Sequence, residues 1–148
     1  MYEYISQDDI HIMVGENAKE NDHLTKSAHP DDWWMHVVDT PGAHVVIVYN
    51  KDALPEETVN DAAAIAVHHS KAKTVKKVVV HVTRAGHVLP GKHTGQVNVI
   101  EISRVKNIFT HKERVRMERL LKDRVHNKTW NTNSGILSCF GGRSYLST

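Results

Sequence analysis

DDWWMHVVDTPGAHVVIVYN, Asp31 to Asn50, is the stretch that decides the fold. Trp33–Asp39 and Ala43–Tyr49 are rich in aromatic and β-branched residues and flank Asp39-Thr40-Pro41-Gly42. Proline presets φ at the second position of a turn and glycine tolerates positive φ at the third, so two strands joined by a turn are expected. On a strand Trp33 and Trp34 point to opposite faces; one is core and at most one is displayed. His36 and His44 stand on either side of the turn, where strand pairing can bring them together.

Working outward, Ile10–Gly15 alternates like a strand. Asn21 or Asp22 is expected to cap a short helix running to Lys26, with Pro30 ending the segment. LPEETVNDAAAIAVHHSKAK reads as a helix. Pro55 suits its first position, and Glu56 and Glu57 sit at the positive end of the dipole. Val59, Ala62, Ala63 and Ala66 form a narrow face that implies close packing on a sheet. KKVVVHVT is a further strand, RAGHVLPGKHTG a loop, and QVNVIEI alternates strictly. At Thr110 a capping box with Glu113 opens a basic helix whose apolar face is Met117, Leu120, Leu121 and Val125.

These elements predict an α+β fold: a mixed, largely antiparallel sheet packed against a central small-residue helix, with a C-terminal basic helix. The expected organisation is a domain over 1–109, an amphipathic helix over 110–128 and a polar, loosely ordered tail over 129–148.

The chain has 148 residues, the size of one domain, and is 40% hydrophobic and 24% charged, as an ordinary globular protein is. Its single cysteine, Cys139, excludes an internal disulfide framework and a multi-cysteine zinc cluster. No apolar run approaches the roughly 20 residues that span a bilayer, and the N-terminus lacks signal-peptide character, so a cytoplasmic protein without a membrane partner is expected.

A net charge of +2 hides an asymmetry. Residues 1–69 hold three Lys or Arg against thirteen Asp or Glu, a net of −10; residues 70–128 hold fifteen against four, a net of +11. Either the basic half faces a polyanion, or the two halves pair with each other.

Gly86–His93 matches a phosphate loop until its last position, where His93 stands in place of Ser or Thr, and a β-rich run follows instead of a helix. Among twelve histidines there is no H-E-x-x-H. His36, His44 and Asp39 could converge on a metal, but histidines satisfying backbone groups in a half-buried sheet are favoured. No metal or cofactor is expected. His81-Val82-Thr83 is half of a two-histidine phosphoesterase signature with no second half, so no enzyme is expected. Aromatic rings and imidazoles stack on unpaired bases while lysines hold phosphates. Lys71, Lys73, Lys76 and Lys77 cluster after the central helix, where the helix dipole also favours them.

Several motifs, in order over about residues 5–105, resemble the NFACT-R domain. VGENAKENDHLT is similar to its VGRNxxQNDxLT opening, DDWWMHVVDTPGAHVVI to its DxWFHxxxxPGSHVVI core, DAAAIAVHHSKAK to its helix ending in SKA, and VVVHVTRAGHVLPGKHTGQVNV to its basic loop and following strands. The family domain occurs in ribosome-associated quality-control factors and in small coiled-coil proteins, is regarded as RNA-binding, and in the large members engages tRNA on the large ribosomal subunit. Two departures stand out. Glu16 replaces the family arginine, and Met35 either stretches the aromatic–histidine spacing or makes it read Trp34-Met35-His36, with Trp33 the extra residue. By length the chain is closer to the small stand-alone members.

The resemblance implies an RNA-binding module for tRNA, rRNA or the ribosome. Its expected surface unites Asn17, Asn21 and Asp22, Trp34, His36 and His44, Pro41 and Gly42, and Ser70, Lys71, Lys73 and Lys92. Asparagines would meet base edges or sugars, rings would stack, and lysines would neutralise phosphate. DNA is a further polyanion candidate. The alternatives are an adaptor that docks a protein partner through 110–126, and a histidine-dependent nuclease.

Overall fold

Alternating apolar residues build one large sheet in the computed structural model, which describes residues 1–126. The elements are β1 (Tyr2–Ile5), β2 (His11–Val14), α1 (Ala18–Ser27), β3 (Trp33–Val37), β4 (Val45–Ile47), α2 (Glu56–His68), β5 (Lys77–Arg84), β6 (Val88–Pro90), β7 (Val97–Val99), β8 (Ser103–Ile108), α3 (His111–Lys122) and β9 (Val125–His126). Seven strands lie in the order β8-β5-β3-β4-β2-β1-β9, each pair antiparallel, and β6 and β7 form a separate ribbon. The α+β class expected from the pattern is the one observed.

The opening stretch supplies two central strands. Trp33, Trp34 and Met35 pair with Ile47, Val46 and Val45. Because the side-chain period is two, this register sends Met35 and Val37 to one face and Trp34 and His36 to the other. Met35, Val37, Val45, Ile47, Val80 and Val82 pack with Ala62, Ala63, Ile65 and Ala66 of α2 and Leu120 of α3. The small residues of α2 let it sit close to the sheet. The opposite face carries a smaller cluster of Met13, Trp34, Val46 and Val48, covered by Leu24 of α1 and Val88 of the ribbon.

Local expectations are corrected in several places. Asn17 caps α1, its side-chain oxygen accepting from the Glu20 N–H at 2.9 Å; Asn21 lies inside the helix. Pro55 is the N-cap of α2 rather than its first residue. The positive φ near the hairpin turn belongs to Asp39, at 55°, and not to Gly42. The presumed loop after β5 contains a 3₁₀ turn, Ala85–His87, and the β6–β7 ribbon. QVNVIEI is a strand only over Val97–Val99, while β8, which begins beyond it, forms the sheet edge beside β5.

Thr110 caps α3, accepting from the Glu113 N–H at 3.3 Å, but Glu113 accepts from Arg116 Nε at 3.1 Å instead of reaching back. The helix ends at Lys122; Val125, expected on its apolar face, is 57% exposed on β9. Asp61 of α2, 0% exposed, accepts from Arg116 at 2.7 Å and Arg119 at 2.6 Å, and Glu57 accepts from Arg116 at 2.9 Å. Part of the acidic half therefore pairs with part of the basic half. The tail expected over 129–148 lies outside the described residues.

Candidate nucleic-acid interface

The site is assembled around one carboxamide. Asn21 Oδ1 accepts from the His44 N–H at 3.0 Å, and Asn21 Nδ2 donates to the Gly42 carbonyl at 3.4 Å. A Cβ on Gly15 would lie 2.2 Å from Asn21 Oδ1, so only glycine leaves room for this approach. Gly42 lies against the end of α2, where a Cβ would meet the Ser70 Cβ at 3.0 Å. Ala43 N–H donates to the His69 carbonyl and Lys71 N–H to the Pro41 carbonyl. Ser70 Oγ donates to the Val67 carbonyl at 2.8 Å and accepts from the Ala72 N–H at 3.1 Å. The hairpin turn and the segment after α2 are thus stitched together, which places Lys71 and Lys73 on one rim.

Beneath this rim lies a floor of rings. Trp34 and His36 stack at 5.9 Å between centroids, and His44 meets both edge-on, at 5.4 and 5.5 Å. Trp34 Nε1 donates to Thr25 Oγ1 at 3.3 Å, and that hydroxyl lies 2.8 Å from His44 Nδ1. The Thr25 hydroxyl, accepting from the indole N–H, thus also holds the His44 ring through Nδ1. Burial pushes the His44 pKa down to about 4, assisted by His36. His36 is lowered too, first by burial and then by His81. Burial also lowers His81, with Arg104 adding to it and Asp39 opposing. At neutral pH these imidazoles are uncharged rings.

The β6–β7 ribbon forms the second rim. Gly95, at φ 84°, abuts Ala18 at the start of α1, where a Cβ would come within 2.9 Å of the Ala18 Cβ. Gly91 N–H donates to the Gln96 carbonyl at 2.7 Å, closing the turn that carries Lys92. Between the rims runs an open groove of about 1490 Å³. Lys71, Lys73 and Lys92 are exposed along it and make no ion pair among the described residues. At one end Glu16 accepts from the Met1 ammonium at 2.6 Å and lies 2.5 Å from His126 Nε2. Burial pushes the Glu16 carboxyl up, but these partners outweigh it and hold it below its usual value.

The structure gathers the expected residues but divides their roles. Asn17, Asn21, Trp34, His36, Pro41, Gly42, His44, Ser70, Lys71, Lys73 and Lys92 all line the groove; Asp22 does not, and pairs with Lys26 at 3.0 Å. Trp34 is 1% exposed, His44 3% and Asn21 7%. Trp34, expected to offer a stacking face, is the core member of the tryptophan pair, and Asn21 spends both ends of its carboxamide on the frame. Asn17 caps α1. Asn17, His36, the three lysines and the Pro41–Gly42 turn remain the accessible parts. Trp33 lies on the other face beneath Arg84, whose guanidinium carbon is 3.9 Å from the ring centroid.

Sequence reading missed His68, His69 and His81 as lining groups, along with Thr94 and Gln96 of the ribbon. The strict pairing of His36 with His81 across β3 and β5 was the available signal, but it needs the strand order to be seen. Among the described residues no group of three or more His, Cys, Asp or Glu could hold a metal ion.

Comparison with known proteins gives concordant matches. The family model described as the NFACT protein RNA binding domain matches residues 1–99. The Rqc2 homolog RqcH of Bacillus subtilis (strain 168) is 42% identical over 86 residues, 57% of this chain and 15% of that protein. Its counterpart in Streptococcus suis (strain 05ZYH33) is 43% identical over 75 residues, 50% of this chain and 13% of that protein. The solved C-terminal part of the fibronectin/fibrinogen-binding protein from Streptococcus suis superposes with a TM-score of 0.70 at 30% identity, covering 80% of this chain and 47% of that one. The matched segment is thus a small fraction of the curated relatives' length.

Proposed function

The chain belongs to the NFACT-R RNA-binding family, and from that premise we propose that it binds tRNA or rRNA through the His36–His44 groove, as a module acting at the ribosome in quality control. The observation that carries this reading is that the exposed Lys71, Lys73 and Lys92 line one groove together with the neutral rings of His36 and His81. Unpaired bases stack on such rings, and lysines hold the phosphates on either side. His36, kept neutral by burial, presents a partly accessible ring without adding charge, beside the buried rings of Trp34 and His44.

The same neutrality speaks for binding rather than cleavage. A general acid and base work best with pKa values near the operating pH, and His44, held at about 4 with Nδ1 engaged by Thr25, is poorly suited to either role. Leu120 and Arg116 of α3 are buried against α2 and the sheet, so the adaptor reading would have to use the helix's outer face. Among the described residues no helix is long and apolar enough to cross a membrane; the proposed place of action is the cytoplasm.

Co-sedimentation with ribosomal subunits tests the proposal. The chain is expected to pellet with subunits at low salt, and Lys71→Ala/Lys73→Ala is expected to release it. A chain that stays in the supernatant at low salt, or a double variant that pellets as the parent does, would refute it.

A further inference from the structure

On the groove's face of the sheet, α1 and the β6–β7 ribbon cover only part of the surface. Strand β5 is covered at Thr83, which is 4% exposed and lies 3.3 Å from His87 Nδ1, whereas Arg104 and Lys106 of β8, on the same face, are exposed. Register fixes what stands there. His36 is opposite His81, His81 is opposite Arg104, and Val79 is opposite Lys106. Directly opposed residues of an antiparallel pair share a face, so His36, His81 and Arg104 form one row across three strands. With strands about 4.8 Å apart, the row extends roughly 10 Å beyond His36. Lys106 follows Arg104 on the same face, about 6.6 Å further along β8.

Charge separates this surface from the rest of the sheet. Arg104 and Lys106 are exposed and make no ion pair among the described residues. Lys77 stands beside them on β5, opposite Ile108. The acidic group that acts on His81 is Asp39, and Arg104 outweighs it. On the reverse face of β8, by contrast, Val105 and Asn107 are turned toward the helices, and Asn107 Nδ2 lies 3.5 Å from the Glu113 carboxylate. The basic side chains of β8 thus lie on the side that continues the groove floor. Edge strands also carry lysines simply to discourage pairing with other chains, and the test must distinguish that role.

Building on the RNA reading of the groove, we propose that Arg104 and Lys106 form a phosphate track by which a single RNA strand leaves the groove over His81 and crosses β5 and β8. The partner is single-stranded because an open sheet face bearing rings between cations takes splayed-out bases, which a duplex hides. The strand must be long enough to occupy both groove and track, in the range of about 4–16 nucleotides that such surfaces hold.

Fluorescence anisotropy with oligouridylates of about 4 and about 12 nucleotides provides the test. Arg104→Gln/Lys106→Gln is expected to weaken the longer oligomer about tenfold, to reduce its salt slope by about 1.4, and to leave the shorter one unchanged. Lys112→Gln/Arg114→Gln on α3, which removes the same charge from elsewhere, is expected to leave both unchanged. Wild-type binding with no loss in the β8 variant, equal losses in the two variants, or equal binding of a duplex overturns the track alone. Failure of the wild type to bind either oligomer overturns the groove reading, and the track with it.

Discussion

Asn21 holds the site together by joining α1 to the turn that leads into β4 through two hydrogen bonds, and it can do so only because residue 15 has no side chain. Gly15→Ala places a methyl group against both the Asn21 side chain and its backbone nitrogen, 2.9 Å away. Such overpacking costs about 1–3 kcal/mol. A lowered urea midpoint is expected, and an unchanged midpoint would show that α1 can shift freely. The histidines make stability depend on pH. In the unfolded chain His44 and His69 titrate near the ordinary 6.5; folded, both lie at about 4, chiefly through burial. Between these values the unfolded chain binds more protons, so the stabilisation is complete above about pH 6.5 and is lost as pH falls toward 4. Denaturant titrations at pH 7.5 and pH 5 should show the decline; equal stability at the two would contradict neutral burial of these rings. At this scale the motif residues were legible in the sequence and their roles only partly so. The asparagines and Trp34 looked like contacts, yet short polar side chains next to a glycine serve equally well as internal ties.

The elements divide along similar lines. The β3–β4 hairpin and α2 were legible because their apolar periods are unbroken and turn or capping residues mark their ends. β8 was not. SRVKNI exposes one face and is basic there, while Asn107 occupies a buried position on the other, so no clean alternation survives. The β6–β7 ribbon was hidden by Gly91, Gly95 and Pro90, which mark a turn but not the short strands on either side. The docking of α3 was likewise invisible, because Arg116 reads as a solvent-facing cation until Asp61 is placed under it. Removing one partner of a buried pair leaves the other uncompensated at a cost of about 3–5 kcal/mol. Asp61→Ala is therefore expected to destabilise the protein by about 3 kcal/mol, and Arg116→Met in that background to recover part of the loss. A thermal melt that shows additive losses would mean the two groups do not act as a pair.

For the whole molecule, the acidic and basic halves turn out to use both of the arrangements that composition allowed. Arg116 and Arg119 meet the acidic side of α2, whereas Lys71, Lys73 and Lys92 make no ion pair among the described residues around the groove. The central claim is that these three lysines hold RNA phosphates above the His36–His44 floor. The most direct measurement is the affinity for fluorescent tRNA over a salt series, for the wild type and for Lys71→Ala/Lys73→Ala/Lys92→Ala. Three contacts at about 0.7 each predict that log K falls with log salt at a slope of about −2 or steeper, and that the triple variant loses about 2 from that slope. Affinity that ignores salt, or a triple variant that keeps the wild-type slope, would contradict the account.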